Sequence, residues 1–247
     1  MLGAPAAERL GATVRRVPFA DVAGAVSPGT TLVATSHVRS NGGGVQDLDD
    51  VAAAAHAVGA RVLVDATHAA GLLRIDAVDR GLDLVVCAAY KHLLCPRGVA
   101  FMRLSEQERR SLVPVNASWV SADPRTYYGG GAEVLARDAR RYDVSLAWHP
   151  WVGAVESLRV LNAIPLDERE RWTTGLAADF ADRVGIEPTG SSVVGVPVRA
   201  ALAEIEGALA EADVAASVRA GDVRVSFHVY NTLADVDYVA GVIATLR

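Results

Sequence analysis

Two stretches, VLVDATHAAG at residues 62–71 and VVCAAYKHLLCPRG at residues 85–98, decide how this chain folds. Each opens on a short aliphatic run and breaks at polar turn residues. Runs of this kind, apolar on both faces, mark strands covered from both sides, as in parallel sheets flanked by helices. The same grammar recurs at residues 31–35 (TLVAT), 61–65 (RVLVD), 82–88 (LDLVVCA) and 99–103 (VAFMR), with Ala-rich amphipathic stretches between. The reading is an α/β fold: a mainly parallel sheet in a three-layer large domain, with at least two βαβ-like crossovers.

Working outward, residues 47–58 (DLDDVAAAAHAV) read as a helix, with acidic residues in the first turn and Gly59 just past the end. The N-terminal MLGAPAAERLGATVRR also reads as helical. Residues 113–142 lose periodicity and read as a long functional or interface loop. Helices are expected at 143–161, 167–183, 200–211 and 233–246, and strands at 193–198 and 223–227. Thr232 and Asp235 have the spacing of a capping arrangement. The expected organisation is a large cofactor-binding domain over residues 1–162 and a small α+β domain over residues 163–247.

The 247 residues are enough to bury a core without disulfides or structural metal, since a chain of this size removes roughly 70–75% of its extended surface from water. A net charge of −5 offers no broad basic field, which argues against nucleic acid as a partner. Charges within the first ten residues exclude a signal peptide or membrane anchor at that end, and no apolar stretch suits a membrane span. Two cysteines, Cys87 and Cys95, suit reduced thiols in a cytoplasmic protein better than a disulfide framework.

Neither a P-loop nor a G-x-G-x-x-G turn nor a G-x-S-x-G elbow occurs, and His37, His68 and His92 with Cys87 and Cys95 lack zinc-site spacing, so no metal is expected. Asp65 ends one strand and Lys91 follows the next, 26 residues later. One crossover would bring both to the carboxyl edge of neighbouring strands, where open α/β sheets bind ligands. A carboxylate and an amine placed there suit pyridoxal phosphate chemistry, the amine for a Schiff base and the acid for the pyridinium nitrogen. Singly, each has a plainer reading, a helix cap for Asp65 and a solvated surface charge for Lys91.

Beyond these two residues, SHVRSNGG (36–43), DATHAAG (65–71), AAYKHLLCPRG (88–98), RYDVS (141–145) and VRVSFHVYNTLADVD (223–237) occur in an order that resembles class V aminotransferases. These are fold-type I pyridoxal phosphate enzymes that include cysteine desulfurases, kynureninases and isopenicillin epimerase-like proteins. The resemblance implies that Lys91 is the Schiff-base lysine, Asp65 the pyridine-nitrogen partner, His68 a neighbour of the cofactor ring, Tyr90 a phosphate contact and Arg224 the holder of the substrate carboxylate. It gives Ser40 and Trp119 a lesser place on the substrate side, and His37 and His228 structural ones. It also implies an amino-acid or amine substrate and a homodimer, with the 119–128 loop and the pair Trp148 and Trp151 as interface anchors. Two departures stand out: Ala88 and Ala89 replace a hydroxyl or thiol beside the lysine, and the N-terminal phosphate cradle of the family is not matched. Transaminase or lyase activity is expected, with cysteine desulfuration ranked lower because no Cys follows Cys95. The alternative is a truncated, non-catalytic binding subunit.

Overall fold

The structure, a computed structural model, describes residues 4–123, 125, 134–145, 147–219 and 221–247. Helix α1 (Ala4–Arg9) precedes β1 (Leu32–Ser36), α2 (Leu48–Ala57), β2 (Arg61–Asp65), β3 (Leu84–Ala88), β4 (Ala100–Leu104) and α3 (Glu106–Ser111). Then follow α4 (Trp148–Asn162), α5 (Leu166–Arg183), β5 (Val193–Pro197), α6 (Leu202–Glu211), β6 (Ser217–Arg219), β7 (Asp222–Ser226) and α7 (Leu233–Ala244). Two sheets result, ordered β1-β2-β3-β4 and β5-β7-β6.

In the first sheet β1, β2 and β3 are parallel, and Ser36, Asp65 and Val86 lie side by side in register. Alternate residues Val62 and Val64 of β2 are fully buried against α2, whose Leu48, Val51 and Ala55 face them. Asp47 starts α2 by accepting hydrogen bonds from the Asp49 and Asp50 amides, and Gly59, at φ 73°, ends it. The expected second helical crossover does not form. Between β2 and β3 the chain runs through turns, because Gly71, Asp76 and Gly81 all take positive φ and break any helix at intervals of five residues. Strand β4 is antiparallel to β3, for the 11 residues between them return along the same edge without the longer crossover that a parallel strand requires.

Helix α4 begins five residues later than the sequence pattern suggests. The preceding segment is held elsewhere: the Tyr142 hydroxyl donates to the carbonyls at the end of α3, 2.8 Å from Arg109 O, and Ser121 Oγ donates to Asp143 O at 2.6 Å. Strand β6 has only three residues, too few for a period to be read.

The second sheet is antiparallel and carries its own core, centred on Phe180, Val194, Val196, Ile205, Val223, Val236 and Ile243. A small cluster of Val38, Ala69, Leu73 and Val193 joins the two. The loop after β1 lies flat on β5. At Gly43, with φ 77°, a Cβ would come 1.6 Å from the Val193 carbonyl oxygen, and Ser191 Oγ donates to Gly43 O at 2.6 Å. At Gly195 a Cβ would meet Asn41 O at 2.6 Å. No helix among the described residues is long and apolar enough to cross a membrane.

Gly43→Ala is therefore expected to destabilise the chain by about 2–4 kcal/mol, from unfavourable φ and overpacking together. Urea unfolding checks it; an unchanged midpoint would show that the loop can leave β5 without cost.

Candidate active site

The strands β1, β2 and β3 end together, and their ends are stitched by more than the ladder. His37 N–H donates to Asp65 O at 3.0 Å and Ala66 N–H to Val86 O at 2.8 Å. Thr67 completes the join: its N–H donates to the Asp65 carboxylate at 2.9 Å while its hydroxyl accepts the Ala88 N–H at 3.0 Å. Asp65 is thus held at the carboxyl edge beside the exit of β3. Sequence reasoning passed over Thr67, although its place two residues after an acid is that of an Asx turn.

Lys91 stands three residues beyond β3, in a tight loop closed by Leu94 N–H to Lys91 O (2.9 Å) and Cys95 N–H to Ala89 O (3.1 Å). Helix α4 supports this loop from below. Ala154 packs with Ala89, Cys95 and Val99, and Ser157 Oγ donates to Leu94 O at 2.8 Å. Lys91 Nζ lies 2.5 Å from His68 Nε2. The Lys91 amine is depressed below its ordinary range, first by burial and then by the Arg224 cation, with Asp65 opposing. His68 is lowered to about 4, by burial first and then by Lys91 and Arg224, again against Asp65. The environment favours neutral nitrogen on both groups.

Arg224 comes from β7, the central strand of the second sheet, opposite Gly195 on one side and Ser217 on the other. It is no edge-strand surface pair: its guanidinium reaches across to donate to Ser40 O at 2.8 Å, and burial followed by Arg219 lowers its pKa. Ser40 therefore meets the site through its carbonyl. Tyr90 turns outward, 40% exposed, with the Arg97 guanidinium 4.6 Å from its ring centre. The structure brings Asp65, His68, Lys91 and Arg224 into one electrostatic neighbourhood, with Tyr90 and Arg97 on its flank.

Other residues fall elsewhere. Trp119 opens a 3-10 turn, Trp119–Ser121, and is half exposed. Trp151 packs edge-on against Phe101 at 5.6 Å as part of the support beneath the Lys91 loop, whereas Trp148 is largely exposed. Of the 119–128 loop, residues 124 and 126–128 lie outside the described residues. Cys87 and Cys95 are free buried thiols; burial pushes Cys87 up to about 11 and Cys95 upward. Among the described residues no three His, Cys, Asp or Glu side chains are grouped to hold a metal.

His37 is lowered to about 4 and His92 to about 3, chiefly by burial. With His68 these side chains bind protons more weakly folded than unfolded, so stability is full above pH 6.5 and is lost as the pH falls toward 4. Unfolding at pH 5 should take up about two to three protons through these histidines. Unfolding calorimetry in buffers of different ionisation enthalpy measures this; an uptake below one proton would contradict the buried, neutral state.

The residues fit pyridoxal phosphate on the ring side, where an acid, an imidazole and a depressed lysine amine converge. Beside the Lys91 loop, Tyr90 and Arg97 offer polar groups of the kind a phosphate would need, and Ala88 and Ala89 offer none in their side chains. The family model for Aminotransferase class-V matches residues 5–186. The chain is 26% identical over 216 residues to Uncharacterized aminotransferase YcbU of Bacillus subtilis (strain 168), covering 84% of this chain and 57% of that protein. It is 34% identical over 109 residues to a protein of Methanothermobacter thermautotrophicus named Probable cysteine desulfurase, covering 40% of this chain and 27% of that one. In structure it resembles a mutant of C-DES with glycine covalently linked to its PLP cofactor, at a TM-score of 0.83 and 20% identity, over 91% of this chain and 63% of that one. The chain thus spans little more than half the length of YcbU. With a match over most of its length and this α/β arrangement around Lys91, the chain belongs to the class V aminotransferase family, whose cofactor is pyridoxal phosphate.

Proposed function

We propose that this chain carries the core of a pyridoxal phosphate enzyme acting on an amino acid or related amine, with Lys91 Nζ as the point of covalent attachment. The observation that carries the reading is the part-buried contact of Lys91 Nζ with His68 Nε2 beside Arg224, in surroundings that lower the amine's pKa and so raise its share of the nucleophilic neutral form. Asp65 would pair with the pyridine nitrogen, His68 would stand beside the ring, and Tyr90 would meet the phosphate. Attached to an amine, the cofactor supplies an electron sink for charge developing at the substrate Cα. Arg224 would hold the substrate carboxylate through paired N–H donors, orienting Cα toward Lys91. The Lys91 amine would move the Cα proton, a task suited to an amine depressed below its usual range.

Fold does not select among transamination, elimination, carbon–carbon cleavage and epimerisation. The relatives named as cysteine desulfurases put desulfuration on the same footing, so its lower rank by cysteine count is not kept. Cys87 and Cys95, buried and raised in pKa, do not suit the nucleophilic thiol of that reaction. The two separate cores support a division into a cofactor-binding domain of residues 1–162 and a C-terminal domain of residues 163–247. A second reading, a non-catalytic homologue that binds a partner, draws on Ala88 and Ala89, which leave the phosphate side poor in hydroxyls.

Addition of pyridoxal phosphate should produce a visible band that Lys91→Ala abolishes, with the cofactor then removable by dialysis. Arg224→Ala should keep the band and raise the amino-acid concentration for half-saturation about 10–100-fold. No band in the unaltered protein would favour the non-catalytic reading. A homodimer, expected from the family, would run in light scattering at twice the 25.9 kDa chain mass; a monomer at micromolar concentration would overturn it.

A further inference from the structure

From the first sheet to the second, the rings of His68, His92, His228 and Tyr230 form a row with centroid spacings of 5.9, 5.8 and 5.0 Å. The row is not a proton wire, because no ring nitrogen in it bonds to the next ring. The ring nitrogens of His228 bond instead to the backbone. Val229 N–H donates to His228 Nδ1 at 2.8 Å, so that nitrogen presents its lone pair and the ring hydrogen of neutral His228 sits on Nε2. From there it meets the His92 carbonyl oxygen at 3.0 Å, in a buried contact across 136 residues of sequence.

The ends of this hydrogen bond matter for the site. His92 directly follows Lys91, and His228 lies two residues beyond β7, the strand that presents Arg224. The imidazole is 4% exposed, roofed by Tyr230 on one side and stacked on His92 on the other, with the Arg169 cation the remaining charge that acts on it. Arg169 is itself occupied, donating to Gly71 O at 2.6 Å. Burial, chiefly, holds His228 below its ordinary pKa, which favours the neutral ring and leaves Nδ1 unprotonated to accept from Val229 N–H.

We infer that His228 is a positioning residue: its Nε2–H bond to the His92 carbonyl sets the Lys91 loop at a fixed separation from Arg224. The inference rests on the reading of Lys91 as the cofactor lysine and of Arg224 as the carboxylate anchor, and it adds what holds the two in relation. Arg224 depresses the Lys91 amine, so any slackening between the loop and β7 should be read directly at Lys91.

Three substitutions separate the bond from the bulk. Gln reaches as far as Nε2 and can donate to His92 O; Asn can accept from Val229 N–H but is too short to reach His92; Phe keeps the stacked ring and makes neither bond. In the full 247-residue chain without cofactor, His228→Asn and His228→Phe should exchange the Leu94 and Cys95 amides about tenfold faster than the unaltered protein, consistent with losing one buried hydrogen bond. In the same variants the pH midpoint of Lys91 modification should rise by about half a pH unit as the Arg224 cation recedes. His228→Gln should restore both values, which a simple packing role would not predict. Equal exchange and equal midpoints in all three variants would overturn the inference, as would a failure of Gln to differ from Phe. Failure of the cofactor reading has a separate signature: the Gln rescue would persist while pyridoxal phosphate gave no Lys91-dependent band. The tie would then stand and its role in positioning cofactor chemistry would fall.

Discussion

Everything at this site depends on one restraint: the loops that leave the carboxyl ends of β1, β2 and β3 are all fastened to the same body. Parallel strands in register bring Ser36, Asp65 and Val86 side by side at one edge, but they leave the loops beyond the strand ends free to spread. The C-terminal sheet and α5 close them. Ser191 and Arg224 hold the first loop at Gly43 and Ser40, and Arg169 and Glu170 hold the second at Gly71 and Arg74. His228 holds the third at His92. Each tie runs to a backbone group, so it fixes the path of the loop and not merely a side chain. An electropositive cluster that would otherwise push itself apart is assembled by these contacts.

That cluster has a consistent electrostatic sense. At Lys91 the acting cations are Arg224 and Arg219, and the carboxylate that opposes them is Asp65. Burial and like charge both favour the uncharged form of an amine or imidazole, so the Lys91 amine is lowered from its ordinary range and His68 falls to about 4. The guanidinium stays charged. The two groups therefore differ in physical character: a guanidinium that keeps its charge and, beside it, an amine whose pKa is lowered. Thr67 keeps Asp65 in place: its backbone N–H donates to the carboxylate while its hydroxyl accepts from the neighbouring strand.

Much of the fold was legible because burial leaves a periodic trace. The aliphatic runs at 31–35, 61–65 and 82–88 became β1, β2 and β3, and Asp47 and Gly59 bracketed α2 as their capping chemistry requires. The readings that failed did so for local or long-range reasons. Positive φ at Gly71, Asp76 and Gly81 removed a crossover helix whose composition alone allowed it. Hydrogen bonds from Tyr142 and Ser121 to distant backbone delayed the start of α4.

The sequence by itself determined most of the elements, the mainly parallel first sheet and the family, since strand periodicity, caps and ordered motifs are properties of neighbouring residues. It also named Asp65, His68, Tyr90, Lys91 and Arg224. Only the tertiary structure decided that Arg224 meets Lys91's neighbourhood from a central strand 133 residues away, that Thr67 locks the exits of two strands, and that His228 grips the loop beside the lysine. The physical reason is that a depressed amine and a bond from His228 to the His92 carbonyl need groups brought close in space, and no spacing along the chain encodes either until the two sheets pack together.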